Sequence, residues 1–426
     1  MKFLRIWLGL LFFVSPVFAG EFSIIHQFDG VTSTMPYGSV ILSNGVLYGT
    51  TVGVSSSSGG GTVYKLNTDG SDFEVLHSFT SSTDGIEVYN GLTLVDGNIY
   101  GIARNGGSAG CGVLFKIDSS SAFSVIHNFT GSGEGSYPYT APTYYNGSLY
   151  GLTWGGWASG TSNIYQYNLS TGTYTSLYNM TSPGVQPFGT VTVINGYLYG
   201  MNSDNRDTAN HGNIFKYNLD SGSYEIVHTF AGGTSGGYPY DSLVWDGGTY
   251  VYGTTMGYAV WSEDNEESTP KRSEELADEG VVFRLNIETN EYTVLHDFSA
   301  QTGDGAKPNS SMLIAPDGWL YGIAHGNEIW GGTEYGTLYR MRLDGSDFEV
   351  LHVFDSMEDG NVPMRSIIWD DGIIYGTTAY GGYGTGDGYG TVWMFNTLVP
   401  EPATLLILLV AAAISKRKRR QPPMRI

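Results

Sequence analysis

The chain has 426 residues, a formal net charge of −21, one cysteine, 61 glycines and 31 tyrosines. Between its two basic ends, 12 Lys or Arg stand against 40 Asp or Glu, a balance that repels polyanions and disfavours nucleic-acid binding. The lone Cys111 excludes an intramolecular disulfide, and the Gly and Tyr content suits short strands and tight turns rather than helix bundles.

Residues 1–19 read as a secretory signal. Lys2 and Arg5 form the basic start, Leu8 to Val14 the apolar run, and Val17-Phe18-Ala19 the cleavage site before Gly20. Export follows as an expectation, and a large core of its own would spare the protein any need for disulfides.

From residue 20 to 396 one unit recurs. Residues 46–79 show it: a strand ending in Tyr48-Gly49, a Gly/Ser loop, the strand Val63-Tyr64-Lys65-Leu66, an Asp-Gly turn, and a closing strand ending in His77-Ser78-Phe79. The Tyr-Gly landmark returns at Tyr100, Tyr150, Tyr199, Tyr252, Tyr321 and Tyr375. The middle-strand aromatic returns as Phe115, Tyr165, Phe215, Phe283, Tyr339 and Trp393. The closing strand carries His26, His77, His127, Tyr178, His228, His296 and His352. A further short apolar run precedes each Tyr-Gly, so the unit is four strands in about 50 residues, the arithmetic of a propeller blade. By the two-residue period, Phe73, Val75, His77 and Phe79 are expected on one face of their strand.

The phase of the repeats points to a closed ring. Phe22 to Phe28 is a closing strand with nothing before it, and the last unit ends at Phe395 without one. An N-terminal strand completing the last blade would leave no unpaired edge, whereas an open solenoid would leave both ends incomplete. The expected fold is therefore all-β, a seven-bladed β-propeller of four-stranded blades. In the fifth unit an acidic insertion, about residues 262–279, lengthens the loop after Tyr252-Gly253; it reads as a solvated loop insertion.

Residues 397–426 form a tail. Pro400-Glu401-Pro402 is followed by an apolar stretch to Ile414 and the basic cluster Lys416, Arg417, Lys418, Arg419 and Arg420. The apolar stretch would enter a bilayer with the basic cluster on the cytoplasmic side, although a dozen apolar residues fall short of the roughly 20 of a spanning helix. The order resembles the PEP-CTERM sorting signal of exported bacterial proteins. That resemblance implies recognition of Pro400, Glu401 and Pro402 by an exosortase-type processing enzyme, a transient membrane anchor, and a destination in the cell envelope or outside the cell. The repeat itself resembles the GloVer-type tandem repeat of choice-of-anchor exported proteins over residues 21–396, a family that implies no activity and no catalytic residues.

No convergent catalytic set stands out. The recurring histidines occupy one strand position in different blades, which suits buried imidazoles tied to neighbouring backbone rather than a metal centre. His211 and His325 lie outside the pattern, with Asp204, Asp207 or Glu328 as candidate orienters for a general base. The turns Asp69-Gly70-Ser71-Asp72 and Asp344-Gly345-Ser346-Asp347 are expected hairpin turns; calcium is the one cofactor they would suit, and they lack the ligand count of a calcium loop. Trp154, Trp157, Trp261, Trp330, Tyr380, Tyr383 and Tyr389 follow Tyr-Gly landmarks and so share one rim. Aromatic faces beside small polar residues make a platform for polysaccharide or a surface protein. The expected function is a non-catalytic, exported surface or matrix protein binding through that rim. A lyase or hydrolase acting on an extracellular glycan or lactone, and a purely structural spacer, are the alternatives.

Overall fold

In the computed structural model the described residues are 20–398, apart from 31–32, 54–59, 81–82, 132, 156–161, 181–185, 204–210, 258–278, 299–302, 327–335, 355–358 and 382–387. They form seven four-stranded antiparallel sheets arranged as a seven-bladed β-propeller, with one short 3-10 turn at Gly233–Ser235 and no α-helix among them. The first blade runs outward from the axis as Ile41–Ser43, Val46–Thr51, Thr62–Asn67 and Glu74–Ser78. The last blade takes Asn361–Asp370, Ile373–Tyr380 and Thr391–Asn396 from the C-terminal side and Glu21–Gln27 from the N-terminal side. Glu21 pairs with Asn396 and Gln27 with Thr391, so the ring closes as its repeat phase requires.

The Tyr-Gly landmark has a packing reason. Gly49 lies directly across the strand pair from Tyr64, and a Cβ on Gly49 would sit 2.3 Å from the Tyr64 hydroxyl oxygen. Gly151 is likewise opposite Tyr165, with its missing Cβ 2.4 Å from that hydroxyl, and Gly376 is opposite Trp393 at 2.2 Å. The glycine is the slot into which the middle-strand ring lies flat, and no side chain can share that volume. Both landmarks are thus one contact seen from two strands.

The closing strand departs from the expected alternation. Val75 pairs with Tyr64 and His77 with Val63, with a register shift between them. This β-bulge inserts one residue, Leu76, and turns the two halves of the strand to opposite faces. Phe73 packs with Tyr64 against the seventh blade, among Phe28, Leu66 and Val392. Phe79 packs with Val63 against the second blade, among Val113, Phe115 and Phe123. The same shift recurs in every blade.

Because of the bulge, the seven closing-strand positions build a belt between blades. His77 stacks on Phe123 of the next blade at 3.6 Å between ring centroids, with the planes 2° apart. His127 stacks on Tyr174, Tyr178 on Tyr224, His228 on Tyr292 and His296 on Phe348. His352 on Phe22 and His26 on Phe73 carry the belt through the closure. The histidines also reach carboxylates rather than the expected backbone groups: Nε2 of His77, His296 and His352 lies 3.2, 2.8 and 2.6 Å from Asp84, Asp304 and Asp359. Burial pulls the pKa of His26, His77, His127 and His228 down, with Asp29, Asp84 and Glu134 partly opposing it at the first three. Aromatic stacks of this kind add about 0.5–1.5 kcal/mol each beyond the area they bury.

Candidate functional site

Each blade presents two loops on one face of the ring: the connection that enters the inner strand, and the loop after the Tyr-Gly strand. The turns on the other face are short and regular, with Thr68 N–H donating to Gly45 O at 3.0 Å and the same bond repeated at Leu169, Leu219 and Thr397. Chemistry with room to vary therefore belongs on the first face.

On that face the two loops are locked together. Met35, Glu87, Tyr137, Tyr238, Lys307 and Val362 all have positive φ, between 55° and 63°, the region non-glycine residues rarely occupy. Backbone bonds hold them there. The N–H of Tyr137 donates to Cys111 O at 2.8 Å while its carbonyl accepts from Trp154 N–H at 3.1 Å. Glu87 is gripped in the same way by Gly60 and Arg104, Tyr238 by His211 and Met256, and Lys307 by Glu279 and His325. The residue two positions on is thereby delivered to the axis, just ahead of the inner strand.

Six residues are delivered in this way, Tyr37, Tyr89, Tyr139, Tyr240, Asn309 and Met364; in blade four Phe188 holds the same position, two residues after Gln186, which exchanges two backbone bonds with Ser203. Five consecutive blades supply aromatic rings, and the rings touch in order. Tyr37 meets Tyr89 edge-on at 5.9 Å, Tyr89 stacks on Tyr139 at 5.8 Å, Tyr139 meets Phe188 at 5.1 Å, and Phe188 stacks on Tyr240 at 4.2 Å. Phe188 is buried and the four tyrosines are half-buried. The result is an arc of rings around the axial mouth.

The neighbouring loop positions complete it. Tyr380 joins its hydroxyl to that of Tyr37 at 2.8 Å, and burial, before that bond, drives the Tyr37 pKa far above the usual phenol range. The Arg104 guanidinium lies 5.1–5.9 Å from the rings of Tyr89, Tyr137, Tyr139 and Trp154 and is paired with Glu87 at 3.0 Å. Lys307 is paired with Glu279 at 3.3 Å, both buried. His325 is buried, with Nδ1 3.2 Å from Gly326 O; desolvation, with the charges of Lys307 and Arg365 assisting, pushes its pKa down to about 4, so its imidazole is neutral at neutral pH.

Arg365 comes from the seventh blade and crosses the axis. Its guanidinium carbon lies 5.4 Å from the Tyr139 ring in blade three and 6.0 Å from the Tyr240 ring in blade five, and the residue is only 4% exposed. Asn90, Thr140 and Asp241 occupy the equivalent position in their blades. Asn90 Nδ2, Thr140 Oγ1 and Asp241 Oδ2, like Arg365 Nε, are buried and have no hydrogen-bond partner among the described residues.

The rim residues expected from sequence are distributed unevenly. Trp154 is 5% exposed, packed into the wall of the mouth against Tyr137 and Phe188, and Tyr380 lines the mouth as described. Tyr389 is exposed at 45%. Trp157, Trp261, Trp330 and Tyr383 lie outside the described residues, as do Asp204, Asp207 and Glu328, the acidic insertion, Ala19 and the tail with Pro400, Glu401, Pro402, Arg417, Lys418, Arg419 and Arg420. Gly20 immediately precedes the first strand. Of the two off-pattern histidines, His325 lies at the mouth and His211 packs edge-on against Tyr238. The arc itself was missed in the sequence, although Met35-Pro36-Tyr37, Tyr137-Pro138-Tyr139, Gln186-Pro187-Phe188 and Tyr238-Pro239-Tyr240 carry a recurring Pro-aromatic signal. Asp69 and Asp344 spend Oδ1 on the N–H and hydroxyl of Ser71 and Ser346. Among the described residues no group of three or more His, Cys, Asp or Glu is placed to hold a metal. Among them, too, no helix is long and apolar enough to cross a membrane.

The propeller is similar to solved structures of low sequence identity. An oligogalacturonate lyase in complex with manganese matches with a TM-score of 0.56 and 12% identity over 91% of this chain and 97% of that one. An oligogalacturonate lyase from Vibrio parahaemolyticus matches with a TM-score of 0.52 and 14% identity over 90% and 98%. At such identities the likeness is one of fold. No curated protein matches the chain in sequence. The Gloeobacter/Verrucomicrobia repeat, by contrast, matches residues 7–207 and 270–407. That span takes in most of the strands whose glycine slots and stacked closing residues build the ring, and the chain belongs to this repeat family.

Proposed function

We propose that this protein is an exported surface or matrix propeller that holds a sugar ring of an extracellular glycan in its axial mouth, without turning it over. The observation that carries this reading is the arc Tyr37, Tyr89, Tyr139, Phe188 and Tyr240. Aromatic faces stack on the apolar C–H faces of sugars, and polar groups beside them fix orientation through hydroxyls. Protein side chains usually bury such rings between blades, as the belt does; here four of the five remain half-open at the axis. The test is a glycan array followed by calorimetry with the purified protein and with Tyr139→Ala. Binding weakened at least ten-fold by the substitution is expected; absence of any glycan ligand, or binding indifferent to it, removes the reading. Capture of a protein ligand instead would move the site from sugar to polypeptide.

The two ends of the chain fit this role. A signal cut between Ala19 and Gly20 would free the first strand. A PEP-CTERM tail recognised at Pro400-Glu401-Pro402 by an exosortase-type enzyme, with Arg417 to Arg420 as the basic stop, would give a transient anchor and release to the envelope. Mass spectrometry of both mature ends tests this; an intact tail on exported protein overturns the processing step.

A second reading, a glycan lyase or hydrolase, is favoured by one observation: an imidazole, His325, stands buried at the mouth with Nδ1 3.2 Å from Gly326 O, and burial holds its pKa down. A base is needed wherever a carbon-bound proton is removed. New reducing ends or unsaturated products from a polysaccharide screen, lost in His325→Ala, would establish it in place of simple binding.

A further inference from the structure

We infer that the axial mouth is selective for an acidic sugar, whose carboxylate pairs with Arg365. The inference rests on the sugar-binding reading above and narrows its ligand. Five arginines lie among the described residues, three of them paired with a carboxylate and a fourth, Arg284, bonded to a phenol hydroxyl and seated over the Tyr250 ring. Arg104 is paired with Glu87, Arg340 with Glu349 and Arg342 with Asp347, while Arg284 shares a hydrogen bond with the Tyr252 hydroxyl. Arg365 has neither. It is 4% exposed, has no ion-pair or hydrogen-bond partner for its side chain among the described residues, and its Nε is buried and unsatisfied.

A buried guanidinium left in that state is costly, because its lost hydration is returned by nothing but the rings beside it. Those two rings are the contacts its charge makes across the axis, and they supply no hydrogen-bond acceptor. An incoming anion supplies what is missing. Arg104 is offset by Glu87 and Lys307 by Glu279, which leaves Arg365 and Asp241 as the charged groups at the mouth without an ion pair among the described residues. Asp241, at the equivalent position in blade five, keeps Oδ1 on Ser242 and Ser311 and makes no ion pair with Arg365. A single anionic group on a ligand would supply the pair that the Arg365 guanidinium lacks.

The shape of the site selects the kind of anion. Tyr139 and Tyr240 each lie within 6.0 Å of the guanidinium carbon, and the fork of N–H donors at its edge is what a ligand would pair with. A planar carboxylate matches that edge with two parallel hydrogen bonds. The carboxylate of a uronic acid stands next to the sugar ring, within reach of Arg365 when the ring lies on the aromatic arc.

The experiment compares four probes by calorimetry: a glucuronate-terminated oligosaccharide, its carboxyl-reduced neutral counterpart, and the matching sulfated and phosphorylated sugars. The wild-type protein is expected to bind the glucuronate probe at least ten-fold more tightly than the neutral one. Arg365→Gln should abolish that preference, with the melting temperature of the unliganded protein equal or higher. Arg365→Lys, which keeps the charge and loses the fork, should lower the preference. Equal wild-type affinity for acidic and neutral probes overturns the inference and spares the sugar site. Tighter binding of the sulfated or phosphorylated probe overturns the carboxylate assignment. Binding of none of the four removes the sugar site and this inference together. Should Arg365→Gln not fold, the wild-type comparison and Arg365→Lys decide.

Discussion

The outer belt and the axial mouth are built from the same repeat and obey opposite rules. In the belt, one closing-strand position is His in six blades and Tyr in blade three, and each stacks on the equivalent neighbour in the next blade. At the mouth, one position carries Tyr, Tyr, Tyr, Phe, Tyr, Asn and Met, and the next carries Gly, Asn, Thr, Gly, Asp, Ser and Arg. The belt must make the same joint seven times, so its chemistry is repeated. The mouth meets one object from seven directions, so repetition there would be of little use. Uniform positions report on assembly, and varied positions at equivalent geometry report on recognition.

That contrast is broken or sharpened by substitution. The largest effect should come from filling a glycine slot. Gly151→Leu places atoms where the Tyr165 ring lies, and a loss of about 3 kcal/mol or failure to fold is expected, read from the denaturant midpoint. Next is the closure: Phe22→Ala removes the ring stacked on His352 and packed edge-on to Phe354, at a cost of about 3 kcal/mol. An unchanged midpoint would mean that the N-terminal strand adds nothing to the last blade.

Within the belt, His77→Ala should cost about 1–2 kcal/mol, from the lost stack on Phe123 and the lost bond to Asp84. The belt should also make stability depend on pH. The folded pKa values of His26, His77, His127 and His228 lie below the ordinary 6.5, so the unfolded chain binds more protons in the window between. Their contribution is complete above pH 6.5 and declines as pH falls from there toward the lowered folded values. Denaturant midpoints measured across that window should fall on acidification, and replacing His228 by Phe should flatten the slope. The smallest effect on stability belongs to the mouth. Tyr89→Ala should shift the midpoint by no more than about 1 kcal/mol yet weaken glycan binding ten-fold or more; a larger loss of stability with unchanged binding would reverse the assignment of the two regions.

Much of the architecture was legible in the sequence, because seven copies of Tyr-Gly, the middle-strand ring and His-x-Phe average out local ambiguity. Blade count, strand count and closure all follow from their spacing. The face assignment of Phe73, Val75, His77 and Phe79 did not survive, for a physical reason. A closing strand is apolar on both sides, since a blade packs on each, so alternation carries no record of the residue at which Leu76 bulges out. The mouth was harder to see. Tyr139, Tyr240 and Arg365 are scattered over more than 200 residues, and only closure of the ring brings the two tyrosine rings within 6.0 Å of the Arg365 guanidinium carbon. Trp154 follows a Tyr-Gly landmark as the rim reading asked, yet the wall of the mouth covers it.

The pairing of Glu21 with Asn396 also fixes a direction. Asn396 closes its strand on the face where Thr397 N–H donates to Gly372 O, the face of the short turns. Chain entering before Glu21 and chain leaving after Asn396 thus depart side by side, on the opposite side of the disc from the aromatic arc. Any tether at either terminus, whether a leader not yet cut or a tail held in a bilayer, would act like the stem of a cup. It would hold the propeller by its base and turn the open mouth outward.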